Sequence, residues 1–235
     1  MIFVTGDLHG DFSPLYEFAK SEEGRVLSKR DFVIVLGDFG IWHETIEDIK
    51  KIDLELPFSV MFLDGNHEKF PLLNSMPEKK VFGGRSHDVY GVLHLCRGEI
   101  FVIPNGDKNT KIAVCGGGDS RDKEFRKVGV DWFPEESITK ADVERMFIKA
   151  IENNMMVDYF LSHSPSSFVK AELLTERQIY KHEEQELSQS ECYIRNIVGF
   201  LFAREYYCGH EHIDRDFCVD CKKYILVSER FIKLT

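Results

Sequence analysis

Short apolar runs recur along the first third of the chain, and each one ends in glycine and polar residues. Ile2 to Thr5 is followed by Gly6-Asp7-Leu8-His9-Gly10-Asp11, and Phe32 to Leu36 by Gly37-Asp38-Phe39-Gly40. Phe58 to Leu63 is followed by Asp64-Gly65-Asn66-His67-Glu68. Runs rich in Ile, Val and Phe with such boundaries predict strands. Between the first two, Ser13 to Glu23 predicts a helix, with Ser13 as N-cap and Pro14 at the first helical position. Between the second and third, Glu44 to Leu54 places Ile46, Ile49 and Ile52 on one helical face. This alternation predicts βαβ units and a largely parallel sheet.

The pattern then shortens. Lys80 to Ile103 interleaves β-rich pieces with Gly83-Gly84, Gly91 and Gly98, as hairpins do, and Lys111 to Cys115 predicts a strand ending at Gly116-Gly117-Gly118-Asp119. Thr139 to Asn153 reads as a helix capped by Thr139, with Asp142 at its third position. Val157 to Leu161 predicts a strand ending at Ser162-His163-Ser164-Pro165. A charged helical stretch over 176–203 reads as an insertion or cover, placed either over a sheet face or as a lid. Glu205 to Cys208 leads into Gly209-His210-Glu211-His212, and Phe217 to Val219 with Tyr224 to Val227 predicts a closing hairpin. No repeat, low-complexity tract or linker interrupts this order, so one domain over 1–235 is expected.

Composition narrows the function classes. With 43% hydrophobic residues in 235, the chain can bury a sizeable core. A net charge of −10 argues against a general affinity for nucleic acid, although bound cations can reverse the local potential. The chain starts on a strand-like run with no basic, apolar leader, and its longest apolar runs are too short for a membrane span, so a cytoplasmic location is expected. The six cysteines are scattered and read as reduced thiols. Cys218-x-x-Cys221, a single pair, reads as part of a hairpin, with zinc as the alternative.

In open α/β sheets ligands bind beyond the carboxyl ends of the strands. Five segments place potential metal ligands there: Asp7 and His9, Asp38, Asn66 and His67, His163, and His210 with His212. Imidazole, carboxylate and carboxamide without thiolate suit divalent Mn, Fe, Zn, Co or Ni. Two such ions about 3.5–4 Å apart need a shared anion to offset their repulsion, and they lower the pKa of bound water toward about 7. His43, His87, His94 and His182 match no motif and read as surface or structural, with His43 close enough in sequence to Asp38 to approach the site. Among Arg121, Lys123, Arg126 and Lys127, or at Arg97, one side chain is expected to hold a substrate phosphate, and Arg97 and Arg121 are the candidates chosen.

Asp-x-His, Gly-Asp, Gly-Asn-His-Glu, a later lone His and Gly-His-x-His, in that order from Asp7 to His212, resemble the calcineurin-like metallophosphoesterase superfamily. The resemblance implies an α/β fold, a two-sheet β-sandwich flanked by helices, with a dinuclear metal site at the strand C-terminal ends. It implies that Asp7, His9 and His212 ligate one divalent ion, that Asn66, His163 and His210 ligate the other, and that Asp38 bridges both. Asn66 would also face substrate, and His67, outside the ligand set, would face the phosphate and leaving group. The implied activity is phosphoester hydrolysis by a metal-bridging hydroxide, with a protonated His67 donating to the leaving oxygen. A phosphomonoesterase acting on a phosphorylated small molecule, nucleotide or phosphopeptide is the leading expectation.

Two rivals stand beside it: a phosphodiesterase acting on nucleotides or nucleic acid, and a non-catalytic metal-binding interaction module. The Ser/Thr protein phosphatase pattern Gly-Asp-x-Val-Asp-Arg-Gly is replaced by Gly37-Asp38-Phe39-Gly40-Ile41-Trp42-His43, which departs from that branch. Substrate, native metals and oligomeric state are not encoded in these motifs.

Overall fold

The computed structural model describes residues 1–181 and 186–235, with side chains of 175–185 left aside. His182 therefore lies outside the described residues. The first strands are β1 (Ile2–Thr5), β2 (Phe32–Val35) and β3 (Ser59–Phe62), joined by α1 (Ser13–Lys20) and α2 (Ile46–Glu55). After α3 (Phe70–Asn74) come β4 (Glu78–Val81), β5 (Gly84–Val89), β6 (Val92–Leu95), β7 (Glu99–Asn105) and β8 (Lys108–Cys115). The chain continues through α4 (Lys140–Glu152), β9 (Tyr159–Ser162), α5 (Ser167–Lys181), α6 (Gln189–Phe200) and β10 (Glu205–Cys208). It ends with β11 (Arg215–Val219), β12 (Lys222–Leu226) and β13 (Ile232–Leu234).

These strands form two mixed sheets, ordered β13-β1-β2-β3-β6-β5-β4 and β11-β12-β10-β9-β8-β7. Pairs at each centre are parallel and those at the edges antiparallel. Side chains alternate across a strand, so each sheet presents two apolar faces. Ile2, Val4, Ile34 and Leu36 meet Ile112, Val114, Tyr159 and Leu161 between the sheets. Phe3, Val33, Val35 and Phe62 face outward onto Leu15 and Phe18 of α1 and Ile49 and Ile52 of α2. Ala113, Cys115 and Phe160 face outward onto Met146 of α4, Val169 and Leu173 of α5, and Ile194, Ile197 and Val198 of α6. The result is a four-layer α/β/β/α sandwich.

The predicted parallel strands, middle hairpins and closing β11–β12 hairpin are present, but four expectations change. Ser13 is the first residue of α1 and does not cap it; the Asp11 carboxylate accepts the Ser13 N–H at 3.0 Å. The helix expected from Glu44 begins at Ile46, after a 3₁₀ turn over His43–Thr45. The stretch expected over 176–203 divides into α5, which starts at Ser167, and α6, whose apolar face covers the second sheet. Ser188 caps α6 in a reciprocal box with Glu191. Finally, the chain does not end on the hairpin. β13 returns to the first sheet and pairs Leu234 with Ile2; three residues alternating around Lys233 carry too short a pattern to announce a strand.

Candidate metal centre

The parallel strands of both sheets deliver their carboxyl ends to one place. Asp7 and His9 follow β1, Asp38 follows β2, Asn66 and His67 follow β3, His163 follows β9, and His210 and His212 follow β10. All seven expected ligands converge. Asp7, His9 and His212 form one group whose donor atoms lie within 4.8 Å of one another, and Asp38, His163 and His210 form a second. One oxygen of Asp38, Oδ2, is 3.8 Å from His9 Nε2 and 3.6 Å from His163 Nε2, so it faces both groups. The Asn66 Oδ1 oxygen joins the second group, 3.1 Å from His163 Nε2, which also lies 3.1 Å from His210 Nδ1.

Partners outside the cluster fix which atom each residue presents. His163 is fully buried, and its Nδ1 meets the Leu36 carbonyl at 2.9 Å. A carbonyl only accepts, so Nδ1 carries the proton and Nε2 offers its lone pair inward. The Asn66 amide nitrogen donates to Ser120 Oγ at 3.1 Å, which turns Oδ1 inward. Ser120 Oγ in turn donates to Glu136 at 2.7 Å. Asp7 accepts the His210 backbone N–H, and Asp38 Oδ1 accepts that of His67 at 2.7 Å.

Backbone strain is concentrated here. Four of the seven, His9, Asp38, His210 and His212, hold positive φ angles of 51°, 44°, 67° and 51°. Such conformations cost about 1–3 kcal/mol each and persist where surrounding structure imposes them. Close approach is secured by glycine: a Cβ on Gly65 would strike the Asp38 side chain, and one on Gly37 the His163 ring.

The electrostatics fit a cation pair. Burial pushes the Asp7 carboxyl up to about 7, a shift that His163 opposes and Asp38 reinforces. Burial drives the His210 imidazole well below its usual range, helped by His163, so it is a neutral donor at physiological pH. Burial opposes, but Asp38 and Asp7 raise the His163 pKa, so the buried carboxylates call for positive charge that divalent ions would supply.

Glu68 holds the loop that follows Asp38. It is fully buried and accepts the N–H groups of Phe39 at 2.7 Å, Gly40 at 3.1 Å and Ile41 at 2.6 Å. Burial, then Asp38, raises its carboxyl, while the Ile41 and Phe39 N–H groups pull it back. Orphaning a buried donor costs about 1–3 kcal/mol. Glu68→Ala should therefore cost the metal-free protein about 3 kcal/mol or more in urea unfolding, and a loss below about 1 kcal/mol would contradict this support.

Arg97 is placed differently from expectation. It is not at the cluster: it is half-buried, its Nε donates to Asp64 at 2.7 Å, and its other nitrogens donate to the carbonyls of Ser137, Glu135 and Glu136. With those donors committed, Arg97 clamps the 135–137 loop, and the expectation that it holds substrate is withdrawn. Arg121 does line the cleft, but within ion-pair reach of Glu211 at 3.6 Å and Glu191 at 3.9 Å. Arg126 reaches closer to the chemistry, its Nη1 lying 3.0 Å from His67 Nδ1. A guanidinium only donates, so Nδ1 accepts and the His67 proton sits on Nε2. Burial lowers the His67 pKa, opposed by Asp38 and reinforced by Arg126, which disfavours the imidazolium expected. His43 is exposed, away from the residues lining the cleft. All six cysteines are free, with Cys218 and Cys221 exposed at the β11–β12 turn.

A four-layer sandwich with clustered Asp and His donors at its strand ends defines a metal-dependent hydrolase. The chain belongs to the calcineurin-like phosphoesterase family, whose pattern matches residues 1–214. It is a metallophosphoesterase, a hydrolase of phosphoesters. Among solved structures it is similar to a protein of Thermus thermophilus, with 11% identity, TM-score 0.54, and 97% of this chain and 89% of that one covered. It is also similar to a putative 5′-nucleotidase from Staphylococcus aureus in complex with alpha-ketoglutarate, at 12% identity and TM-score 0.50, covering 97% of this chain and 48% of that one. A phosphopantetheinyl hydrolase from Mycobacterium tuberculosis matches with 16% identity and TM-score 0.47, over 97% of this chain and 89% of that one. The first two likenesses concern the fold. No curated protein matches the sequence. Among the described residues, no helix is long and apolar enough to cross a membrane.

Proposed function

We propose that the protein is a dinuclear phosphomonoesterase acting on a small organic phosphate. The observation that carries this reading is the single Asp38 oxygen facing both donor groups, 3.8 Å from His9 and 3.6 Å from His163. In this reading Asp7, His9 and His212 hold one ion, Asn66, His163 and His210 hold the other, and Asp38 is shared. The nitrogen and oxygen donor set fits Mn, Fe, Zn, Co or Ni. When bound, two such ions supply Lewis acidity toward a phosphoryl oxygen and hydroxide at neutral pH.

The chain's own residues supply position and proton placement. Asp38 would hold the ions through Oδ2, because Oδ1 accepts the His67 N–H and fixes the carboxylate. Asn66, steered by Ser120, presents its carbonyl oxygen, and His163 is held in one tautomer by Leu36. His67 presents Nε2–H to the phosphate and its leaving oxygen. The cleft has a volume of about 320 Å³ and is lined by Asn66, His67, Ser120, Arg121, Arg126 and His212 among others. That size suits a compact phosphate, and the Arg126 guanidinium beside His67 favours the doubly charged terminal phosphate of a monoester over a singly charged diester.

The test is hydrolysis of p-nitrophenyl phosphate and of its bis-ester with Mn²⁺ present. The monoester is expected to turn over and the bis-ester to lag. Preference for the bis-ester would move the assignment to a phosphodiesterase, and silence across a broad panel would support a non-catalytic module. Arg126→Ala should raise KM for the monoester by about tenfold, the loss of one charge-assisted hydrogen bond; an unchanged KM and kcat would remove Arg126 from the substrate site.

A further inference from the structure

A second cluster of metal-ligand chemistry lies on the hairpin beyond the metal loops, and the phosphoesterase site does not use it. His87 on β5 and His94 on β6 are direct cross-strand partners. Their Nδ1 atoms are 3.1 Å apart, and the ring planes are within 11° of parallel. Cys96, just past β6, has its sulfur 3.9 Å from His87 Nδ1. One donor atom from each residue falls within 4.8 Å of the others. His94 and Cys96 are buried, and His87 is half-buried.

The spacing is that of ligands around one ion. Zinc–nitrogen bonds of about 2.0–2.1 Å and a zinc–sulfur bond of about 2.3 Å, set at tetrahedral angles, separate the donor atoms by roughly 3.3–3.6 Å. The observed 3.1 and 3.9 Å bracket this range. The environment adds an independent indication. His94 Nε2 lies 3.0 Å from Asp64 Oδ1, and Asp64 also accepts from Arg97. A carboxylate held by a guanidinium accepts the Nε2 proton, leaving the His94 Nδ1 lone pair facing His87 Nδ1. A carboxylate fixing the far nitrogen is the usual outer partner of a metal-bound histidine. The cluster also opens onto a cavity of about 350 Å³, lined in addition by Glu78, Arg85 and Asn74, which gives an ion a route in.

We propose that His87, His94 and Cys96 form a metal site separate from the phosphoesterase centre and suited to zinc. A thiolate with two imidazoles selects a softer ion than the sulfur-free phosphoesterase centre does. Three protein ligands leave the fourth tetrahedral position facing the cavity, where Glu78, the ladder partner of His87, also lies. On uptake the Cys96 thiol releases its proton, and the His87 proton resides on Nε2, so that both Nδ1 atoms and the sulfur bind. Through Asp64, two residues before Asn66, the ion fastens this hairpin to a loop of the phosphoesterase centre.

Cobalt separates the two centres spectroscopically, because the phosphoesterase ligands contain no sulfur. Chelator-stripped protein titrated with Co²⁺ should develop a near-ultraviolet thiolate-to-cobalt absorption. Cys96→Ser should lose that band and bind one ion fewer per chain. Cys218→Ser should retain it, which excludes the exposed pair as its source. Cobalt uptake by the wild type without a thiolate band would overturn the proposal, as would a band that survives Cys96→Ser. A measurement on the unaltered chain guards against a misfolded variant: Zn²⁺ should slow alkylation of Cys96, mapped by mass spectrometry, at least tenfold. Equal labelling with and without zinc would overturn the site. Neither readout depends on phosphatase turnover.

Discussion

Asp38→Asn should strip both ions from the phosphoesterase centre together and leave no measurable hydrolysis. The substitution keeps the size of the side chain and an oxygen to accept the His67 N–H, now 2.7 Å from Oδ1, so the loop has little reason to rearrange. What disappears is the charge on the one oxygen that faces both donor groups. Two divalent ions about 3.5–4 Å apart repel each other unless an anion lies between them. Altering even an outer partner of a metal ligand costs about 10- to 100-fold in affinity, so removing the shared charge should weaken each ion by at least about 10²-fold. Metal analysis after gel filtration checks this, with Asp7→Asn as the comparison. Asp7 lies 3.6 Å from His212 and belongs to one group, so its loss should deplete one ion more than the other. An Asp38→Asn protein that retains two tightly bound ions would end the shared-ligand assignment.

The candidate ligands were legible in the sequence because each sits immediately after a strand, where local pattern and chemistry coincide. Asp7, Asp38, Asn66, His163 and His210 needed only strand ends and residue types to be found. The residues that hold them were not legible, because their partners are remote in sequence. Ser120 steers Asn66 from 54 positions away, and Glu68 gathers the Phe39-Gly40-Ile41 amides from nearly 30. Glu68 was visible as the last residue of Gly-Asn-His-Glu, but a carboxylate beside metal ligands does not reveal whether it turns toward ions or backbone. Arg97 shows the same limit in reverse. Its charge suggested a phosphate partner, whereas burial beside Asp64 and three carbonyls used up its donors. In the fold, strands with strong apolar runs were evident, and β13 was not, since only its pairing with β1 makes it a strand.

His67→Ala should lower kcat by about 10²- to 10³-fold, the range for losing one positioned donor to developing charge, while ion content stays unchanged. Metal retention follows from geometry: the link from His67 to Asp38 is made by its backbone N–H, which alanine preserves. The loss of turnover follows from the side chain, which lines the cleft edge-on to His9, with ring centroids 5.3 Å apart. Because Arg126 donates to Nδ1, the ring is a neutral Nε2–H donor. Burial, opposed by Asp38 and reinforced by Arg126, also lowers its pKa. The sign of the pH effect then distinguishes two roles. An imidazolium acting as general acid would make kcat fall as pH rises through the His67 pKa; a neutral donor would leave kcat free of that limb across neutral pH. His67→Gln restores an N–H donor without a titrating group, so it should recover part of the activity lost in the alanine variant. A falling limb in the wild type that vanishes in the glutamine variant would instead make His67 the proton source, and full activity in His67→Ala would remove it from the reaction.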